Sequence, residues 1–295
     1  MKKNKRLKFG ARIFFAFCSL LFLCKSQPSA FAEQAVPRVI SLSPIITETI
    51  YLLGAEESLI ANTTYCNIPE AAKFKEKIGS VTQMNVEKII QLMPDLVIAS
   101  PLSREKQLQI LQRQSIKILR VPNPKTFSGM CDMAITIGKK LGKEENARRI
   151  ILAAQKQADI ILQKTRGLKK PRIFLQIGLK PLHSANKDMF INEYIRYGGG
   201  INIAENESSG IYSREKVITQ NPEVILIATM GTSKKAGELE KQRWMSFKSI
   251  DAVKNKRVYV MDPEMICSPT PKTFIKGLTS LLPMIHPELV IKDEE

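Results

Sequence analysis

The sequence predicts an α/β protein of two lobes, each with a central, mainly parallel sheet, joined by one long rigid helix. Three observations carry that expectation. Short apolar strands alternate with helical segments through residues 36–291, and such alternation builds parallel sheets. The same strand, helix and strand order occurs twice. Between the two copies, from about Thr126 to Arg166, runs a helical pattern without an internal proline. At roughly 100–200 residues per domain, 295 residues suffice for two such units, each with its own core.

Residues 1–32 come first and stand apart. Lys2, Lys3, Lys5, Arg6, Lys8 and Arg12 precede a largely apolar run from Ile13 to Cys24, and Ser29-Ala30-Phe31-Ala32 supplies an A-x-A site. That is the layout of a signal peptide cut after Ala32. Twelve helical residues rise about 18 Å, against about 30 Å of hydrocarbon, so export rather than anchoring is expected. Phe17 and Leu23 precede Cys18 and Cys24 where lipidation needs a small residue, so a soluble periplasmic product is expected.

The first lobe is expected over residues 36–124. Pro37-Arg38-Val39-Ile40-Ser41-Leu42 reads as a short strand, and the helix that follows starts at Ser43-Pro44 and stops at Gly54. Residues 59–65 (LIANTTY) give a second strand. Asn85 caps a short helix, Pro94 breaks it, and Leu96–Ala99 reads as a buried strand; residues 117–122 add another. The connecting helix spans 125–167, with Gly138 and Gly142 as its soft points and Lys143-Glu144-Glu145 as a candidate interruption. Its apolar positions recur every three or four residues, as a stiff strut requires.

The second lobe, 168–291, restates the first. Pro171–Leu175 repeats the opening strand, 213–229 the capped helix, proline and strand, and 257–262 the strand at 117–122. At a shift of 128, Glu87 falls on Glu215, Lys88 on Lys216, Pro94 on Pro222 and Asp95 on Glu223. Three matches in one order indicate internal duplication.

Composition excludes several chemistries. The leader carries seven Lys or Arg and no acid, which leaves 38 basic against 28 acidic residues, a net +10 on the remainder. Those lysines are spread through helices with no aromatic-interleaved stripe, so a solvated surface is expected and no nucleic-acid partner. Two His and three Cys beyond the leader (Cys66, Cys131, Cys267) cannot build a multi-histidine zinc site or a disulfide scaffold, and allow at most one disulfide. No GxSxG elbow, paired-carboxylate motif or phosphate-cradling loop is present, and Gly198–Gly200 reads as a helix stop. No catalytic residue is assigned.

Parallel strand ends in two facing lobes make a crevice where such folds hold ligands. Tyr65, after the second strand, is the first candidate. The segment 183–189, with His183 and Met189, is the next, and Asp262 to Ser268, including Cys267, is the third wall. Glu87 and Glu215 sit in the first turns of their helices, where an acid complements the helix dipole by ~0.3–1 kcal/mol.

The segments RVISLSPIITETIYLLGA, TTYCNIPEAA and MNVEKIIQLMPDLVIAS, continued by IFLQIGLKPLHSANKDMFINEYIRYGGGINIA, YSREKVITQNPEVILIA and SLLPMIHPEL, resemble the iron-chelate and vitamin B12 class of ABC-importer substrate-binding proteins. The resemblance covers nearly the whole exported chain and is greatest to the cobalamin-binding member. It implies the class III periplasmic-binding-protein fold, a shallow cleft with little motion, a monomer, and no cofactor or metal of its own. It implies a corrinoid ligand, with a ferric siderophore or haem as the alternative. The implied partners are a membrane permease and its ATPase subunits, with Glu87 and Glu215 docking into basic permease pockets. A ligand-binding sensor without an importer would keep the cleft but not need both glutamates. The chain also departs from the pattern. Where cobalamin binders carry tryptophans it reads Val81, Ser100 and Ser209, and its single Trp244 lies in the polar stretch KQRWMSF. The loop before Pro271 lacks the arginine expected for anionic chelates.

Overall fold

A computed structural model describes residues 36–229, 234–267 and 269–289; the leader and Ser268 lie outside them. The first sheet is built by β1 (Val39–Ser41), α1 (Pro44–Leu52), β2 (Leu59–Asn62), β3 (Glu76–Lys77), α2 (Val86–Gln91), β4 (Leu96–Ala99), α3 (Glu105–Arg113) and β5 (Lys117–Arg120). All its strands are parallel, in the order β3-β2-β1-β4-β5. The expected strand at 59–65 ends at Asn62, because Thr63, Thr64 and Tyr65 turn out of the sheet into a loop.

Both faces of this sheet are covered, which is why β4 reads as an unbroken apolar run and every residue of β1 is buried. Val39, Leu59, Leu96 and Ile98 pack with Ile46, Ile50 and Leu53 of the α1 segment. Ile40, Ala61, Val97 and Ala99 pack on the other face with Val86, Ile89, Leu108 and Leu111. Each fully buried Val, Leu or Ile side chain among them contributes about 1.5–3 kcal/mol.

The connecting segment is two helices rather than one. α4 (Phe127–Lys140) and α5 (Glu144–Thr165) are separated at Leu141–Lys143, where Gly142 takes φ +67° and ends the first helix. α4 is apolar on two sides: Met133 and Ile137 enter the first lobe's core, while Phe127, Met130, Cys131 and Ala134 enter the second's. α5, 22 residues or about 33 Å long, is the strut. Its start is tied to the first lobe by Asn146 Nδ2 donating to Leu53 O at 2.8 Å, and Ala147 enters that core. Ile151, Ala154, Ala158 and Ile161 then pack into the second.

The second lobe follows as β6 (Arg172–Leu179), β7 (Leu182–Ser184), α6 (Asn192–Tyr197), β8 (Ile201–Asn202), α7 (Arg214–Gln220), β9 (Val224–Ile227), α8 (Lys234–Met245), α9 (Asp251–Lys254), β10 (Val258–Val260), α10 (Pro263–Cys267) and α11 (Pro271–Ile285). Its sheet runs β10-β9-β6-β7 with β8 beside β6, and only the β6–β7 hairpin is antiparallel. Residues 263–267, read from sequence as loop, form α10. Trp244, placed by sequence in a polar stretch, is fully buried: its ring packs edge-on against Phe174, and its Nε1 donates to Gln176 Oε1 at 2.7 Å. Glu240, also buried, accepts from Gln176 at 2.9 Å and from Arg214 and Arg243.

Candidate functional site

The site begins where β2 ends. Tyr65 is 66% exposed, while its neighbour Cys66 is fully buried. Thr47 Oγ1 donates to Cys66 Sγ at 3.2 Å, and the Thr63 hydroxyl lies 3.1 Å from the same sulfur. The loop around Tyr65 is held from beneath by Lys77, whose Nζ donates to Asn62 Oδ1 at 2.7 Å, Ala72 O at 3.0 Å, Cys66 O at 3.1 Å and Thr63 O at 3.4 Å. Burial draws the Lys77 pKa below its ordinary value. An exposed ring on an ordered loop loses little freedom when it meets a flat ligand.

The same loop carries Ile68 into a recess of about 180 Å³ between the lobes. Glu48 of α1 lines it from the first lobe; Asp262, Met265 of α10, and Thr273 and Lys276 of α11 line it from the second. Glu48 is only 7% exposed. Asp262 was a candidate from sequence and Glu48 was not, although Glu48 is the one charged residue between Pro44 and Ala55. Lys276 and Thr273 gave no signal, because a lysine or threonine on an amphipathic helix looks like ordinary surface.

The other candidates divide into two groups. His183 and Ser209 come together, since His183 bridges to Ile211 across the strand edge and Ser209 Oγ accepts from the Ile211 amide at 3.2 Å. Ser209 is exposed and His183 half-buried. Met189 and Cys267 pack against the second lobe's core. Burial, with help from Asp262, pushes the Cys267 thiol up to about 12, so it is an inert thiol at neutral pH. Cys66, Cys131 and Cys267 are all free. Among the described residues, no group of three or more His, Cys, Asp or Glu is placed to hold a metal ion.

Glu87 and Glu215 occupy matching places. Asn85 Oδ1 accepts from Lys88 N at 2.9 Å and Ser213 Oγ from Lys216 N at 3.1 Å, so each glutamate stands second in a side-chain-capped helix. Both are exposed. Backbone and Ser213 hydrogen bonds hold the Glu215 carboxyl below its usual range. In each lobe the next residue is a lysine paired with another acid, Lys88 with Glu76 and Lys216 with Glu207.

Known proteins share this architecture. An uncharacterised ABC transporter substrate-binding lipoprotein, YvrC of Bacillus subtilis, is 29% identical over 271 residues, covering 89% of this chain and 84% of its own. A vitamin B12-binding protein of Vibrio campbellii is 29% identical over 260 residues, covering 85% and 92%. The periplasmic haem-binding protein HutB of Vibrio cholerae superposes with a TM-score of 0.77 at 20% identity, over 86% of this chain and all of that one. The periplasmic binding protein family itself matches residues 39–265, from the first strand of one sheet to the helix beyond the last strand of the other. A match of that extent settles the kinship: the chain belongs to the periplasmic binding protein family.

Proposed function

We propose that the protein is the extracytoplasmic solute-binding subunit of an ABC importer, which captures a corrinoid between its lobes and hands it to a permease. The observation that supports this reading is Tyr65, a 66% exposed ring on the anchored loop that also carries Ile68 into the recess. A large planar ligand can stack on such a ring, whose amphipathic surface suits a binding interface. Curated relatives that match most of this chain, including the one from Vibrio campbellii, bear the name vitamin B12-binding protein. The role is binding and delivery rather than catalysis. The leader of residues 1–32 takes the protein across the membrane, and Glu87 and Glu215 are the permease contacts. Exposed charges of this kind govern encounter and register more than affinity.

Haem is the second reading, and the same tyrosine favours it. A tyrosine phenolate or a histidine can ligate haem iron, and both Tyr65 and His183 belong to the candidate walls. The absorption spectrum of protein purified from its native host separates the two, because corrinoid and haem have distinct bands. Calorimetric titration with cobalamin, cobinamide, haem and a ferric chelate then ranks them. Tight haem binding with no corrinoid binding below millimolar would make haem the ligand and overturn the corrinoid assignment.

A further inference from the structure

The floor of the cleft carries charges for which the ring of a planar ligand has no use. Glu48 and Asp262 face a recess that holds one ammonium, Lys276, and one hydroxyl, Thr273. Glu48 is more than nine-tenths buried, so its charge acts through a poorly screened medium. Burial raises the Tyr194 phenol's pKa, and the nearby Glu48 carboxylate adds to that rise. At about 180 Å³ the recess lies below the ~300–1,000 Å³ of a whole small-molecule site. It fits one peripheral group of a ligand.

The chemistry of that group follows from donors and acceptors. An ionised carboxylate only accepts hydrogen bonds, and it has about four lone-pair positions, so one that already has a partner can take another. A ligand carboxylate entering here would meet two like charges and find one cation. A primary amide is complementary on both ends, with an NH2 for the carboxylates and a carbonyl for the ammonium and hydroxyl. We propose that the recess is a carboxamide subsite, in which Glu48 and Asp262 accept from an amide NH2 while Lys276 and Thr273 donate to its carbonyl. It would select corrinoids, whose rim carries primary amides, over chelates that present carboxylates. The subsite rests on the corrinoid reading and adds Glu48 as its specificity-determining residue.

The test compares cobalamin with its mono-carboxylic acids, in which one rim amide has been hydrolysed, by calorimetry on the exported full-length protein at pH 7. At least one mono-acid is expected to bind ten or more times more weakly than cobalamin. Glu48→Gln, which is isosteric, should shrink that gap at least threefold, and Asp262→Asn should do the same if Glu48→Gln proves unstable to heat. Cobalamin binding with every mono-acid within twofold of it would overturn the subsite and leave the corrinoid reading standing. An unchanged gap in both variants would do the same. Failure of all corrinoids while haem binds would sink both, since the recess would then tolerate carboxylates.

Discussion

Arg38 donates its backbone N–H to the Asp95 carboxylate at 2.8 Å, and its guanidinium donates to Leu92 O at 2.9 Å. In the other lobe Arg172 donates its N–H to Glu223 at 3.0 Å and its guanidinium to Asn221 O at 2.9 Å. Each arginine thus pins the first strand of its sheet to the loop that follows its capped helix. Burial raises the Glu223 pKa, but the hydrogen bonds from Lys169 and Arg172 outweigh it and hold the carboxyl below its ordinary value. Asp95→Ala and Glu223→Ala should each cost about 0.5–1.5 kcal/mol. Because they lie in separate lobes, the double variant should lose the sum. Urea denaturation of the four proteins measures both.

Docking is tested away from the cleft. Glu87→Ala with Glu215→Ala should leave ligand affinity unchanged and abolish most transport, at about 1.5–3 kcal/mol for each charge-assisted hydrogen bond removed. Reversal of both to Lys should be worse, because it adds repulsion. Uptake by vesicles carrying the permease and its ATPase subunits gives the answer; wild-type uptake by the double alanine variant would return both residues to helix-dipole partners.

Tyr65→Ala should weaken the true ligand at least tenfold, about 1.4 kcal/mol. A ring 66% exposed adds little to folding, so the melting temperature should barely move. Titration beside a thermal melt separates the two effects. Lys77→Met is the counterpart, since it should loosen the loop beneath that ring and lower both.

Acid should find its weak point at Glu240. Burial raises its pKa, but hydrogen bonds from Gln176 and Arg214 outweigh that and hold it below its ordinary 4.5. A carboxyl depressed by folding stabilises the protein above its unfolded pKa, and that stability is lost as pH falls through the folded one. Stability should therefore decline below about pH 4.5. Glu240→Gln should cost about 1.5–3 kcal/mol at pH 7 and show a flatter decline as the pH falls below the pKa of an ordinary carboxyl. Denaturation curves at several pH values would expose a mistake, because parallel declines would exonerate Glu240.

Sequence revealed those features that are local in cause. Asn85, Ser213, Pro94 and Pro222 punctuate the chain within a few residues, so the two capped helices and the strands after them were legible. The division of the connecting segment was legible only as a candidate at Gly142 and Lys143-Glu144-Glu145, since Gly142 can end a helix or sit within one, and the packing of Gly138 against Ala147, where an added Cβ would lie 3.0 Å away, is a tertiary fact. Trp244 was misleading for a similar reason. Its charged neighbours Arg243 and Lys241 suggest surface, but the partner that buries it, Gln176, lies 68 residues earlier. Tyr65 and Asp262 could be named because they follow strands. Glu48 belongs to the site only because α11 from the far lobe reaches it.

The strut α5, fastened at one end to Leu53 and packed at the other against the second lobe, has a consequence for traffic at the membrane. If that strut holds the lobe spacing fixed, Glu87 and Glu215 stand at the same separation whether the cleft is full or empty. On the docking reading, empty copies therefore compete with loaded ones for the same permease. Import should rise with added protein only until ligand is exhausted, and then fall as idle copies occupy the gate.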